Sequence, residues 1–387
     1  KEWDASTGEC LRTLEGHTDM VTSAVYSPTG DKIVSASYVE TVKEWDATTG
    51  ECLRTLEGHM WSVTSAVYSP SGSKILSAAE DGTVKEWDAT TGECLRTLEG
   101  HTGWVNSAVY SPSGDKILSA SADKTVKEWD AATGECLRTL EGHTDRVTSA
   151  VYSPAGDKIV SASDDKTVKE WDAATGECLR TLEGHTDRVT SAVYSPAGDK
   201  IVSASDDGTV KQWDAATGEC LRTLEGHTET VWSAEYSPSG DKIVSASDDG
   251  TVKEWDAATG ECLRTLEGHT NWVTDAEYSP AGDKILSTSF DGTFKEWDAA
   301  TGKCLKTHQM EDNPNLSEYH SQKTLNIKLQ TDDNTIYLPV SSRNKEKRTL
   351  LNIPGLWIQG CSFKNLEKNS QLSKKALKLM KQYGARF

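Results

Sequence analysis

Between its turn residues the chain is built of short segments of strand-like composition. One full set reads Val63–Tyr68, Lys74–Ala78, Thr83–Trp87 and Cys94–Leu98. Ser69-Pro70-Ser71-Gly72, Glu80-Asp81-Gly82 and Ala89-Thr90-Thr91-Gly92 separate the four segments, and Glu99-Gly100 follows them. Short apolar-rich runs bounded by Gly, Pro, Asp and Ser predict strands. Gly supplies the positive φ such turns need, and Pro presets φ early in a turn. Four antiparallel strands form one small twisted sheet that cannot bury both of its faces alone, so copies must stack. The pattern predicts seven copies of the first three strands and eight of the fourth, the outermost fourth strands being Glu9–Leu14 and Lys303–His308.

The period is exact in sequence. Trp-Asp recurs at Trp3, Trp45, Trp87, Trp129, Trp171, Trp213, Trp255 and Trp297, with 42 residues between neighbours such as Trp45 and Trp87. Gly-His recurs with the same spacing at His17, His59, His101, His143, His185, His227 and His269. A period near 40 carrying these two dipeptides resembles the WD40-repeat family over residues 1–307. The resemblance implies an all-β fold, a seven-bladed propeller of four-stranded antiparallel blades. It also implies closure by an N-terminal strand, so that Glu9–Leu14 completes the last blade and displaces Lys303–His308. The opposite choice remains open.

Each unit carries a His, a Ser, an Asp and a Trp at fixed offsets. They are His101, Ser121, Asp123 and Trp129 in the third unit, and His143, Ser163, Asp165 and Trp171 in the fourth. The fifth has His185, Ser205, Asp207 and Trp213, and the sixth His227, Ser247, Asp249 and Trp255. The seventh has His269, Ser289, Asp291 and Trp297. Ser, His and Asp together invite a hydrolase reading, but an active site is needed once and this set recurs around the chain. The family resemblance implies instead a hydrogen-bonded network bracing each blade. Val39 takes the Asp position of the first unit and Ala79 the Ser position of the second, so weaker bracing is expected in those two.

The near-identity of the units makes their differences informative. The loops after the first and third strands are almost constant, as in Ser153-Pro154-Ala155-Gly156 and Ala173-Ala174-Thr175-Gly176. The other two connections vary, and strand alternation brings both to one face of the disc. Three residues after each His the chain has Met20, Ser62, Trp104, Arg146, Arg188, Thr230 and Trp272. Two further on, Asn106 and Trp232 stand where most units have Thr. Tyr38 and Phe290 precede the turn Asp position, and Trp61 joins from the loop. Of the thirteen tryptophans, those outside the repeat signature are Trp61, Trp104, Trp232, Trp272 and Trp357, and all but the last fall on this face. Trp, Tyr and Arg are the usual anchors of interfaces, which predicts a surface recognising a protein or peptide.

Charge and cysteine placement narrow the classes. The formal net charge is −19, and the repeats carry the acid excess while residues 308–387 are basic on balance. An acidic disc repels a phosphate backbone, so nucleic acid is not an expected partner. Eight of the nine cysteines, Cys10 to Cys304, occupy one repeat position each and so fall on different blades. Disulfide pairing among them is not expected, and free thiols point to a reducing cytoplasm. No zinc-type cluster, phosphate loop or calcium loop is present, so neither metal nor cofactor is expected, and no apolar run approaches a membrane span. Glu235 and Glu277 replace Val at equivalent first-strand positions, which the resemblance places in the central channel.

After Thr307 the period ends, leaving 308–387 as a small C-terminal α+β extension. Thr324–Leu329 and Thr335–Val340 alternate as short strands do, and a helix is expected from near Ser370 to about Tyr383, with Leu372, Ala376 and Leu379 on its apolar stripe. The opening Lys1-Glu2-Trp3-Asp4 lies inside a repeat, so a longer chain is expected. Near-identical repeats with variation on one face are similar to the sensor regions of NLR-like signalling NTPases of bacteria and fungi. That resemblance implies a ligand-sensing or scaffold propeller; with no metal cluster, phosphate loop or unique nucleophile–base pair no enzyme is expected, and a monomer is favoured over an oligomer. The alternative is an assembly scaffold joined through edge strands or the tail.

Overall fold

The computed structural model describes residues 2–3, 10–12, 17, 21–47, 49, 51–279, 282–291, 293–309, 330–332 and 335–337. The chain divides into two compact units, Lys1–Asn313 and Pro314–Phe387. The first holds seven four-stranded antiparallel sheets, the blades of a β-propeller. In the fourth blade the strands are Val147–Tyr152, Lys158–Ser163, Val168–Asp172 and Cys178–Leu182, each paired with the next.

Burial explains why the second strands do not alternate. In Lys158–Ser163 every residue after the lysine is buried, because one blade covers each face. The fourth strands have one outer edge in solvent and bury only one leucine near their end, such as Leu182 or Leu56. Between blades four and five, Val160, Ala162, Val168 and Leu182 of one sheet pack against Ile201, Trp213 and Ala215 of the next. Five further clusters of this composition seal the other interfaces from blade one to blade seven. A smaller cluster of Ile33, Trp45 and Ala47 lies on the opposite face of blade one.

The first strands line the centre, since Val25, Val67, Val109 and Val151, from four successive blades, border one cavity of about 440 Å³. In each of these strands the register slips by one residue, between Val147 and Ser149 in blade four. The bulge turns Thr148 outward, and its hydroxyl donates to the Val189 carbonyl of the next blade at 2.8 Å. Thr22, Thr64 and Thr190 make the same tie, and Asn106 makes it through Nδ2 at 2.7 Å.

Two expectations are corrected. The seventh blade is completed by its own fourth strand, Cys304–Gln309, paired with Thr293–Asp298. The N-terminal segment Cys10–Arg12 pairs instead with Glu2–Trp3, a further copy of a third strand that strand counting missed. The physical reason is register: Trp3 opposes Cys10 as Trp297 opposes Cys304, so each hairpin satisfies itself locally. In the second unit Gln330–Asp332 pairs with Thr335–Tyr337. The expected strand 324–329, the rest of 335–340, and the helix of residues 370–383 lie outside the described residues.

Candidate functional site

Two sets of polar side chains recur from blade to blade. The first contains the histidines. In blade four Trp171 Nε1 donates to Ser161 Oγ (2.9 Å), Ser161 Oγ lies 2.8 Å from His143 Nε2, and His143 Nδ1 lies 2.8 Å from Asp165 Oδ2. The serine proton thus goes to Nε2 and the imidazole proton to the carboxylate, a one-way relay that satisfies each buried group. Thr167 Oγ1 and the Thr144 N–H also donate to Asp165. Gly142 allows this closeness: its φ is 149°, and a Cβ there would meet the Trp171 ring at 3.4 Å. Gly-His and Trp-Asp are therefore one packing unit read at two places in the sequence.

The serine was misplaced by two residues. The network serines are Ser119, Ser161, Ser203, Ser245 and Ser287. Ser121, Ser163, Ser205, Ser247 and Ser289 instead accept from the N–H of the turn Asp and donate to a loop carbonyl, as Ser163 does to Asp145. Ser-Ala-Ser puts both hydroxyls on one side of the strand, and only the reach of the indole N–H selects the inner one. Ala79 therefore costs blade two nothing in this network: Ser77 serves Trp87 and His59 there, and His59 reaches Asp81 at 2.9 Å.

Blade one does lack a member. Ser35 bonds Trp45 Nε1 and His17 Nε2, but Val39 offers no carboxylate, and His17 Nδ1 has Thr41 Oγ1 at 3.5 Å. Burial and then Lys43 push His17 down to about 4. The unfolded chain takes that proton near pH 6.5 and the folded chain resists it, so stability contributed by neutral His17 is lost as pH falls from about 6.5 towards 4. The network aspartates act lower. Burial alone would raise Asp291, but bonds from Thr293, the Thr270 N–H and His269 hold it at about 2. Its contribution is present above its unfolded value and disappears as pH falls through the folded one. We predict that Val39→Asp stabilises the chain by about 1 kcal/mol at pH 7 and flattens the loss between pH 6.5 and 4. Urea midpoints at both pH values check this, and an unchanged midpoint at pH 7 sinks it.

The second set escaped sequence reasoning. Glu128, wholly buried, takes Lys116 Nζ (3.0 Å) and the Tyr152 hydroxyl of the next blade (2.9 Å) on Oε1, with Arg138 Nε 2.9 Å from Oε2. Glu44, Glu86, Glu170 and Glu254 do the same work. Burial first, and then the glutamate, push each of these tyrosine hydroxyls up. In blade five Gln212 replaces the glutamate, bonding Tyr236, Ala257 O and Arg222, and Lys200 turns to Asp199. That Glu-to-Gln exchange inside an otherwise constant segment was the available signal.

The variable face is built differently. Its tryptophans are exposed, Trp61 at 54% and Trp104 at 44%, where the signature Trp129 and Trp171 are at 1%. Trp232 and Trp272 are exposed too, with Tyr38, Phe290 and Met60. Trp272 and Phe290 pack edge to face, ring centroids 5.8 Å apart. Trp232 takes the place of the interblade threonine and donates its indole N–H to Asp248. Arg188 is exposed, while Arg146, Ser62 and Thr230 are half-buried. Asn106 spends its amide on the tie to Val147, so its side chain belongs to the blade interface more than to the face. Met20 lies outside the described residues. Lys124 and Lys166 hold left-handed conformations (φ 75° and 73°) where Gly82 and Gly208 stand in other blades. Each lysine donates to a loop carbonyl of the next blade, Thr144 and Thr186, which holds the turn against that strain.

At the centre, Glu235 borders a smaller cavity of about 220 Å³ with Val193, Tyr194 and Tyr236. Burial, then Asp275 and Glu277, push its carboxyl up to about 8. Asp275 is a third member of this group that the sequence reading passed over. Among the described residues no group of His, Cys, Asp and Glu is placed to hold a metal ion, and no helix is long and apolar enough to cross a membrane.

A family model described as "WD domain, G-beta repeat" matches residues 8–46, 50–88, 92–130, 134–172, 176–214, 218–256 and 260–298. Each match runs from the approach to one fourth strand to the end of the third strand of the following blade. Comparison with curated proteins returned no match.

Proposed function

The chain belongs to the WD domain, G-beta repeat family, whose propellers are generally protein-interaction scaffolds without catalytic activity, and from that premise we propose that it recognises a protein or peptide through its variable face. The observation that carries this reading is the confinement of difference. Seven near-identical units keep two loops constant and vary the two that share a face, and the tryptophans gained there are exposed. Drift alone would mark both faces. A large aromatic left this far in solvent adds little to folding, and such residues dominate binding energy when a partner covers them. The role we propose is ligand sensing or scaffolding, as in the NLR-like sensor regions that these repeats resemble.

The test is a pull-down from a source-like lysate read by mass spectrometry. The baits are the intact chain and a variant with Trp61→Ala, Trp104→Ala, Trp232→Ala and Trp272→Ala. A partner held by the intact chain and reduced at least a hundredfold by the variant is expected, about 2–4 kcal/mol or more being carried by anchors of this kind. Identical capture by both baits ends the proposal. One observation favours a second reading, an assembly scaffold. The fourth strands end every blade and expose Leu53, Leu95, Leu137, Leu179, Leu221, Leu263 and Leu305 along their free edges. That reading requires a mass that grows with concentration, and a constant monomer mass removes it.

A further inference from the structure

Blades four and five carry the same pair of residues on the variable face, Arg146 with Asp164 and Arg188 with Asp206, yet the pairs are not in the same state. Arg188 grips Asp206 Oδ2 with both Nε (2.6 Å) and an NH2 group. Among the described residues Arg146 makes no such pair. Its Nε is buried and has no hydrogen-bond partner among the described residues; its bonds are made by its backbone, the N–H donating to Asp145 and the carbonyl accepting from the Asp164 N–H. The second oxygen of Asp206, Oδ1, is likewise buried without a donor. Asp164 lies in the field of both arginines, which pull against the burial that raises its carboxyl.

A buried guanidinium N–H without an acceptor costs about 1–3 kcal/mol or more, a charged donor being dearer than a neutral one. Such a group is retained where an acceptor arrives later. The surroundings select the acceptor. On one side stands Trp104, exposed, in the preceding blade. Asn106, two residues on from it, is bonded to the carbonyl of Val147, next to Arg146. On the other side the arc continues through Asp206 to Asp248 and Trp232. Asp145 and Asp164 close in from the arginine's own blade. A doubly charged phosphate would meet these carboxylates at short range, whereas a single carboxylate meets the guanidinium with less repulsion.

We infer that the arc from Trp104 through Arg146 to Asp206 takes an acidic side chain of a peptide partner. Its carboxylate lies on Arg146, an apolar neighbour lies on Trp104, and an N–H of the partner serves Asp206 Oδ1. The inference rests on the face-recognition reading above and names the chemistry of its partner. The rest of such a peptide is neutral or basic, because the face carries a surplus of Asp and Glu.

The probe is a peptide array with a randomised background and one fixed position, set as Glu, Gln, Lys or phosphoserine. It is read with the full chain, with the four-tryptophan variant, and with Arg146→Gln, Arg188→Gln and Arg146→Glu. The Glu series is expected to be retained about tenfold over the Gln series. Arg146→Gln removes that preference, Arg188→Gln keeps it, and Arg146→Glu transfers it to Lys. Equal retention of Glu and Gln, together with loss in the four-tryptophan variant, overturns the acidic-partner inference and leaves face recognition standing. A phosphoserine series ahead of Glu overturns the carboxylate assignment. Retention indifferent to the tryptophans, or no retention at all, overturns both.

Discussion

Replacing Glu128 by Leu is expected to lower the free energy of unfolding by about 3–5 kcal/mol, the effect of removing one member of a buried ion-pair group. The carboxylate is wholly buried and answers three partners on two blades, Lys116, Arg138 and Tyr152. Leucine of similar volume fills the space and leaves a phenol and two cations facing carbon. Glu128→Gln should cost much less, because blade five lives with Gln212. There the amide keeps Tyr236 and Arg222, and Lys200 finds a weaker partner in Asp199 at 3.7 Å. Chemical denaturation of both variants decides the matter. Equal losses for Leu and Gln would show that the lost charge, and not the hydrogen bonds an amide can keep, sets the cost at this position. Since each blade touches only its neighbours, a local transition confined to blades three and four is the form the loss should take.

Ser161→Ala is expected to cost about 2–6 kcal/mol, because it strands two buried groups at about 1–3 kcal/mol each, the Trp171 indole N–H and His143 Nε2. Ser163→Ala, two residues along the same strand, is expected to cost about 1 kcal/mol or less. The chain already carries alanine at the equivalent Ala79, and blade two keeps its relay intact. The pair of variants separates the two serines by stability alone. If Ser163→Ala proves the more damaging, the relay drawn through Ser161 is wrong.

What could be read from the amino-acid chain alone follows from what repeats do to information. The 42-residue spacing of Trp-Asp and Gly-His, and the four strand-like runs in each unit, yielded the seven four-stranded blades. Packing had little freedom to depart from that pattern, because every unit must bury the same two faces against its copies. The confinement of variation to one pair of loops was also legible, since antiparallel pairing allows only one assignment of loops to faces. That the aromatics there are exposed had to come from coordinates, as Trp104 and Trp129 are the same residue with opposite fates.

Tertiary structure decided the matters in which two equivalent groups compete for one place. Ser161 and Ser163 point the same way from one strand, and only the reach of the tryptophan on the neighbouring strand selects between them. Glu128 sits in Lys-Glu-Trp, which reads as a solvated charge pair until the next blade covers it and supplies Tyr152. Cys10–Arg12 and Cys304–Gln309 have nearly the same sequence, and pairing with the adjacent third strand chose the second for the last blade. Arg146 and Arg188 have the same neighbours in sequence and different neighbours in space. The reason is common to all four. Local sequence sets backbone conformation and the side to which each residue points, but a hydrogen bond is satisfied within a few tenths of an ångström, and positions are fixed that finely only when the blades are packed together.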